Sequence, residues 1–242
     1  MSGETGSGPK RNPDTGRGTA RWLASVIVIG LVLAASLFIS AGRLDWRMAW
    51  AYVCVYAAAQ VLVAAVVIRG NPELAAERAQ LRASPAARWD RPLAGIVAVW
   101  GPMATLIVSG VDMRLAGSSA VPQVLQTVGL ALAAAGSLLT VWAMASNPFF
   151  YGHVRIEKER GHTVADSGPY RMVRHPGYLG AVVFNLATPL MLSSAWAFIP
   201  AGLTSGVLVL RTALEDRVLQ EGLDGYKEYA VRVRHRLVPG LW

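Results

Sequence analysis

The chain has 242 residues, of which 53% are hydrophobic and 16% charged, and a mean hydropathy of +0.38. Soluble domains carry roughly 25% charged residues, so this balance excludes an ordinary soluble globule, and its long apolar runs exclude fibrous, disordered and secreted classes. Basic residues outnumber acidic ones 23 to 15, a net charge of +8 and a pI near 10.1, but they sit between apolar runs rather than on one face. That pattern fits membrane topology and not nucleic-acid binding.

Residues 1–20 (MSGETGSGPKRNPDTGRGTA) are rich in Gly, Ser, Pro and charge. They cannot bury enough apolar surface to offset ordering entropy and read as a disordered cytoplasmic tail. The first apolar run starts at Trp22 and continues to about Gly42; it is longer than a secretory core and lacks a clear A-x-A cleavage site, so it reads as a first span. Further candidate spans are 48–68, 93–111, 122–145, 177–192 and 195–214. An apolar helix of about twenty residues rises about 30 Å, enough to cross a bilayer core, and lipid-exposed backbone must be helical to satisfy its amides. The expectation is therefore an all-α, polytopic membrane protein of about six transmembrane helices.

Cys54, the single cysteine, lies in the second run and reads as a small core residue, which precludes an internal disulfide. The Ala-rich stretch Leu130 to Leu139 predicts close helix packing. Only Ser193 and Ser194 separate the fifth and sixth spans, which predicts a tight hairpin, with Pro189 and Pro200 kinking its arms. Gly202 and Gly206 form a GxxxG expected to pack against the fifth span.

Lysine and arginine fall unevenly along this order. The tail, the second and fourth loops and the C-terminal end hold 20 of the 23, and the other loops hold three. Cationic segments resist translocation, which predicts cytoplasmic termini and long loops. Arginine outnumbers lysine twenty to three, which points to GC-rich coding and a bacterial inner membrane.

Polar chemistry collects in two places. The fourth loop, 146–177, carries three of the four histidines, and the last 32 residues carry Glu215, Asp216, Tyr226, Tyr229 and His235. The hairpin brings the two together at the cytoplasmic face. Within HTVADSGPYRMVRHPGYLG, Ser167, Gly168 and Pro169 make a turn, and Pro176 after His175 starts a helix whose free N–H groups sit beside an imidazole and two phenols. This corner can hold a polar ligand. It can equally be an interface anchor, with Tyr170 and Tyr178 in an aromatic belt and Arg171 and Arg174 on lipid phosphate.

Arg211 and Glu215, at i and i+4, share a helix face, and an arginine inside VLVLRTAL marks either a functional position or a snorkelling ion pair with Glu215. The tail GYKEYAVRVRHRLVPGLW reads as a basic segment on the membrane surface. The histidines have no HxxxH or HExxH spacing, which gives no support for a metal.

GHTVADSGPYRMVRHPGYLG, the short hairpin, RTALED and GYKEYAVRVRHRLVPGLW together resemble the isoprenylcysteine carboxyl methyltransferase family over roughly the last hundred residues. The resemblance divides the chain into the tail, N-terminal helices over 21–121 and a methyltransferase core over 122–242. It implies a membrane-embedded methyltransferase with a cytosol-facing pocket for S-adenosyl-L-methionine and a lipid or small amphiphilic acceptor, with no metal and no nucleic acid. Carried over by position, His162, Thr163, Val164, Ala165, Tyr170, His175, Pro176, Gly177, Tyr178 and Glu215 would bind the cofactor, and Arg211 would face the acceptor as the catalytic residue. Arg155 stands where the family's eukaryotic members have glutamine and is left out of the site. Two alternatives stay open: an NADPH-dependent sterol-type reductase, which looks similar around RHP and the tail, and a non-catalytic lipid-binding membrane protein.

Overall fold

The computed structural model describes residues 13–70, 89–116, 121–150, 152–156 and 161–242. Helix α1 spans Pro13–Ala41 and α2 spans Arg47–Gly70. The third long helix is composite: α3 (Asp90–Gly95), a π-helical stretch Ile96–Trp100, and α4 (Gly101–Ala116). Then come α5 (Gln123–Ala145), a 3-10 turn Gly168–Arg171, α6 (Pro176–Met191), α7 (Phe198–Gly222) and α8 (Tyr226–Arg232). Helix α1 begins inside the stretch expected to be a disordered tail, with Pro13 at its first position, where a missing N–H is not needed; residues 1–12 lie outside the described residues.

Among the described residues, five helices are long and apolar enough to cross a membrane: Gly16–Ala41, Arg47–Gly70, Asp90–Leu115, Gln123–Ala145 and Phe198–Gly222. The expected 177–192 span is the 16-residue α6, whose rise of about 24 Å falls short of a bilayer core near 30 Å. Large apolar side chains stand on the outside of the bundle, among them Leu31, Ile39, Val61, Leu138 and Leu203. A soluble protein could not leave so much apolar surface uncovered, whereas lipid covers it without cost.

With no hydrophobic drive between helices in lipid, close backbone packing must hold them together. The tightest seam is α5 against α6, in agreement with the Ala-rich expectation. A Cβ on Gly136 would lie 2.6 Å from the Gly180 carbonyl oxygen, and one on Gly180 would lie 2.5 Å from that of Gly136. At the end away from α8, Leu33, Leu37, Trp46, Tyr52, Leu106 and Met191 form the main apolar core.

Several expectations are corrected. Cys54 is exposed on the outer face of α2 and is not a core residue, since an apolar run in a membrane helix does not say which side faces protein. Gly202 and Gly206 have nothing within 4 Å of their would-be Cβ atoms, so α6 does not pack on the GxxxG; Asn185 of α6 instead donates to the Ala201 carbonyl (2.6 Å) and to Ser205 Oγ (2.9 Å). Pro200 falls in the first turn of α7, a position that needs no kink. The hairpin turn is wider than two residues, running from Leu192 to Ala197 with Ser193 at φ 57°. It is pinned by Ser194 Oγ donating to Asp112 (2.7 Å) and by Val121 N–H donating to Ser193 Oγ (2.9 Å).

Candidate active site

At the end of the bundle where α7 runs into α8, the segment before α6, the inner half of α7 and α8 enclose an open cavity of about 160 Å³. Its wall includes His162, Thr163, Val164, Ala165, Tyr170, His175, Gly177, Tyr178, Arg211 and Glu215, ten of the eleven residues singled out from the sequence. The eleventh, Pro176, is buried at the start of α6 and sets the helix direction without lining the cavity.

The helix start is built differently from the expected open cradle of N–H groups. His175 N–H donates to the Arg236 carbonyl and Arg174 N–H to that of His235, both at 2.9 Å, so the C-terminal tail is stitched onto the corner and is not a free surface anchor. Tyr178 and Leu179 N–H donate to the His175 carbonyl, each at 3.1 Å. What the corner offers a ligand is its side chains.

Tyr178 donates its hydroxyl to Glu215 Oε2 across the α6–α7 seam (2.5 Å), its ring stacks on His175 with centroids 5.9 Å apart, and the Arg211 guanidinium lies 5.3 Å from its ring centroid. The Arg211–Glu215 pair, one of the two alternatives the spacing left open, is absent among the hydrogen bonds and ion pairs of the described residues. Arg211 is engaged instead by Asp90 of α3, Nε to Oδ1 at 2.7 Å, and donates Nη2 to the Gly152 carbonyl at 2.9 Å. Asp90 lies 121 positions from Arg211, a distance across which helical spacing carries no signal.

Behind the wall sits Asp216, fully buried. It accepts from Arg236 Nε (2.8 Å), Gln220 Nε2 (2.7 Å) and the Tyr226 hydroxyl (3.0 Å), with His175 Nε2 at 3.3 Å. Arg174 Nε lies 3.1 Å away in a close ion pair whose angle is poor for a hydrogen bond. Arg174 is therefore buried against a carboxylate and does not face lipid phosphate. The sequence marks Asp216 only as one of the polar residues near the C-terminal end, with no role in the site, and Arg155, left out of the site, also lines the cavity.

Opposite, an apolar wall is formed by Ile156, Val164, Ala165, Leu219 and Leu223 around Tyr170, Tyr226 and Tyr229. Tyr229 donates to the Tyr170 carbonyl (2.8 Å), and Phe149 stacks on His162 with centroids 4.4 Å apart. Burial pushes the phenols of Tyr170, Tyr226 and Tyr229 well above the ordinary range, so they stay protonated. Burial pushes the His162 imidazole down, which favours its neutral form.

Residues 128–221 match the model of the isoprenylcysteine carboxyl methyltransferase (ICMT) family. The match lies within the C-terminal half of the chain and takes in 94 of its 242 residues. Two similar curated proteins, from Oryza sativa subsp. indica and subsp. japonica, are each described as "Probable protein-S-isoprenylcysteine O-methyltransferase". Each is 30% identical over 118 residues, which cover 46% of this chain and 59% of the relative. The chain thus spans under two thirds of the length of the relatives it matches. The ICMT match includes the 162–165 stretch, the His175 corner, Arg211, Glu215 and Asp216; Asp90, Tyr226, Tyr229 and Arg236 lie outside it.

Proposed function

We propose that this protein is an integral membrane methyltransferase that uses S-adenosyl-L-methionine to methylate a lipophilic or small amphiphilic acceptor of the isoprenylcysteine type, a carboxylate being the acceptor best suited to Arg211. One observation carries the reading: Tyr178, Glu215, Arg211 and the 162–165 stretch, all picked out by family resemblance, line a single cavity.

The residues fit the cofactor. S-adenosyl-L-methionine supplies a methyl group on a cationic sulfur. The chain provides the Glu215 carboxylate and the rings of Tyr170 and Tyr178, which attract a cation by charge and by their π faces. His162, held neutral, adds no competing charge. The aliphatic wall of Val164, Ala165, Leu219 and Leu223 suits a flat heterocycle, and Asn147 and Thr163 offer polar groups to its rim.

For the acceptor, Arg211 is the cation on the bundle side of the cavity. An anionic nucleophile approaching a cationic donor loses charge in the displacement, so a site that excludes water and fixes both partners accelerates it by positioning. A second cavity of about 340 Å³ lies among Leu33, Val63, Val141, Ala181, Phe184 and Leu208, and is mostly apolar. Leu208 and Ala181 stand one helical turn from Arg211 and Tyr178, so a hydrocarbon tail can lie there while its polar head reaches the arginine. The 20-to-3 segregation of basic residues between alternate segments supports cytoplasmic termini and a cofactor arriving from the cytoplasm.

The test is to incubate purified protein with labelled S-adenosyl-L-methionine and total membrane lipid and to identify what acquires the methyl group. Thermal-shift titration accompanies it, because a ligand that binds only the native state raises its melting temperature. A shift with S-adenosylhomocysteine is expected. A shift with NADPH alone would reverse the choice toward a reductase, and no shift with either would leave a non-catalytic lipid binder.

A further inference from the structure

Asp90 opens the third long helix, has no exposed surface, and lies outside the family-matched residues. Taking a carboxylate out of water costs several kcal/mol unless its lone pairs are met. Here they are met from two directions. Arg211 donates Nε to Oδ1 (2.7 Å) and Nη2 to Oδ2 (3.3 Å); Val154 N–H donates to Oδ2 (2.9 Å), and His153 Nδ1 lies 3.2 Å from the same oxygen. Nη2 also donates to the Gly152 carbonyl (2.9 Å). Gly152, His153, Val154 and Arg211 all line the cavity, whereas Asp90 does not.

Two consequences follow for the guanidinium. Nε and Nη2 are committed, and among the described residues Nη1 has no hydrogen-bond partner, which leaves it as the donor available to the cavity. Held by Asp90, Arg211 also does not turn to Glu215, one helical turn further along α7 and the nearest competing carboxylate on that face. Among the described residues Glu215 has one side-chain hydrogen bond, from the Tyr178 hydroxyl, and its carboxylate faces the cavity.

We infer that Asp90 is a positioning residue for methyl transfer: it clamps Arg211 and the 152–154 wall together, presents Nη1 to the acceptor, and keeps Arg211 from neutralising Glu215. This rests on the methyltransferase reading above. It assigns to the N-terminal helices a part in the site, namely the anchor of the acceptor-facing cation.

The test compares wild type, Asp90→Asn, Arg211→Gln and the double variant. Two readouts are taken: kcat and KM for the lipid acceptor, and the ratio of affinities for a cationic amine analogue of the donor and for neutral S-adenosylhomocysteine. In Asp90→Asn a freed Arg211 turns to Glu215, so kcat/KM falls about 100-fold and the preference for the cationic analogue is lost. In the double variant that preference returns, and turnover matches Arg211→Gln alone within about twofold, because Asp90 acts through the arginine. A merely structural carboxylate would give no such recovery.

Asp90→Asn with turnover and cation preference within about twofold of wild type overturns the inference. If Asp90→Asn does not fold, the charge-balanced double variant decides: a loss of tenfold or more beyond Arg211→Gln means that Asp90 acts independently, and the inference falls. A wild type that binds neither donor analogue overturns the methyltransferase reading itself, a result distinct from both.

Discussion

Tyr178 and Glu215 close the seam between α6 and α7 with one hydrogen bond, from the phenol to Oε2. The same two side chains face the cavity, so one contact both joins the helices and shapes the proposed cation site. Tyr178→Phe keeps the ring face and removes the donor. A hydrogen bond to a charged group is worth about 1.5–3 kcal/mol, so S-adenosylmethionine affinity should fall roughly tenfold or more, less than in Glu215→Gln, which removes the charge. Isothermal titration of both variants checks the order; equal affinity in all three proteins would remove Glu215 from the cofactor site.

Arg211→Lys separates the acceptor from the cofactor. A lysine cannot make the two-pronged contact with Asp90 and still reach the Gly152 carbonyl and the cavity. Turnover should drop about 100-fold while donor affinity changes by under about threefold. Stopped assays paired with donor-binding titrations measure both, and equal losses in the two would count against an acceptor role.

Asp216 should matter to stability before chemistry. It is the common partner of Arg174, His175, Arg236, Gln220 and Tyr226 and does not line the cavity. Asp216→Ala strands buried cations, which costs about 3–5 kcal/mol. Thermal unfolding in detergent should show a clear fall in midpoint, with a smaller fall for Asp216→Asn, which retains an acceptor oxygen.

These three residues also mark what the sequence could disclose. Arg211 and Glu215 stand out by type and spacing, and the hairpin forces their helix against the His175 corner, whereas the 162–165 stretch of the cavity wall was legible only through the family resemblance. The partners of Arg211 and Glu215 were not legible. Helical periodicity predicts i and i+4 neighbours, but Asp90 and Tyr178 come from other helices and outcompete that local pair. The same limit applies to Cys54 and to the Gly202–Gly206 pair: an apolar helix in lipid lacks the polar-outside signal that tells a soluble helix which face is buried.

His162 gives a pH dependence with a definite sign. Burial lowers its pKa from 6.5, so the imidazole is neutral at pH 7, and protonation begins to accumulate only below that ordinary value. A proton there adds positive charge to a cavity proposed to take a cation, so donor affinity should weaken as pH falls below about 6.5. The folded protein resists protonation more than the unfolded chain, so native stability also declines in that direction. His162→Gln should flatten the affinity profile between pH 5 and 7; an unchanged slope assigns it to another group.

Helix packing yields a paired comparison. Gly180→Ala places a methyl 2.5 Å from the Gly136 carbonyl oxygen and the Thr140 hydroxyl, and the α5–α6 seam must open. Overpacking of this kind costs about 1–3 kcal/mol. Gly202→Ala meets nothing within 4 Å and should be neutral or slightly stabilising, since alanine is the better helix former. Thermal unfolding of the two variants side by side should separate them, and equal midpoints would mean that the seam is looser than its geometry.

The apolar cavity predicts acceptor selectivity. Ala181 lines it one turn from Tyr178, so Ala181→Phe extends a ring into the space proposed for the hydrocarbon tail while leaving the polar rim intact. Burial of each methylene is worth about 0.8 kcal/mol, so displacing about three of them lowers kcat/KM for a long-chain acceptor by roughly tenfold to a hundredfold. A short-chain acceptor with the same nucleophile never reaches that depth and should react at the wild-type rate. Competition between long and short acceptors in one assay cancels differences in enzyme concentration and folding. A parallel loss for both would mean that the ring disturbs the rim, and an unchanged ratio with full activity would mean that the tail lies elsewhere, against the lipid-facing side of the bundle.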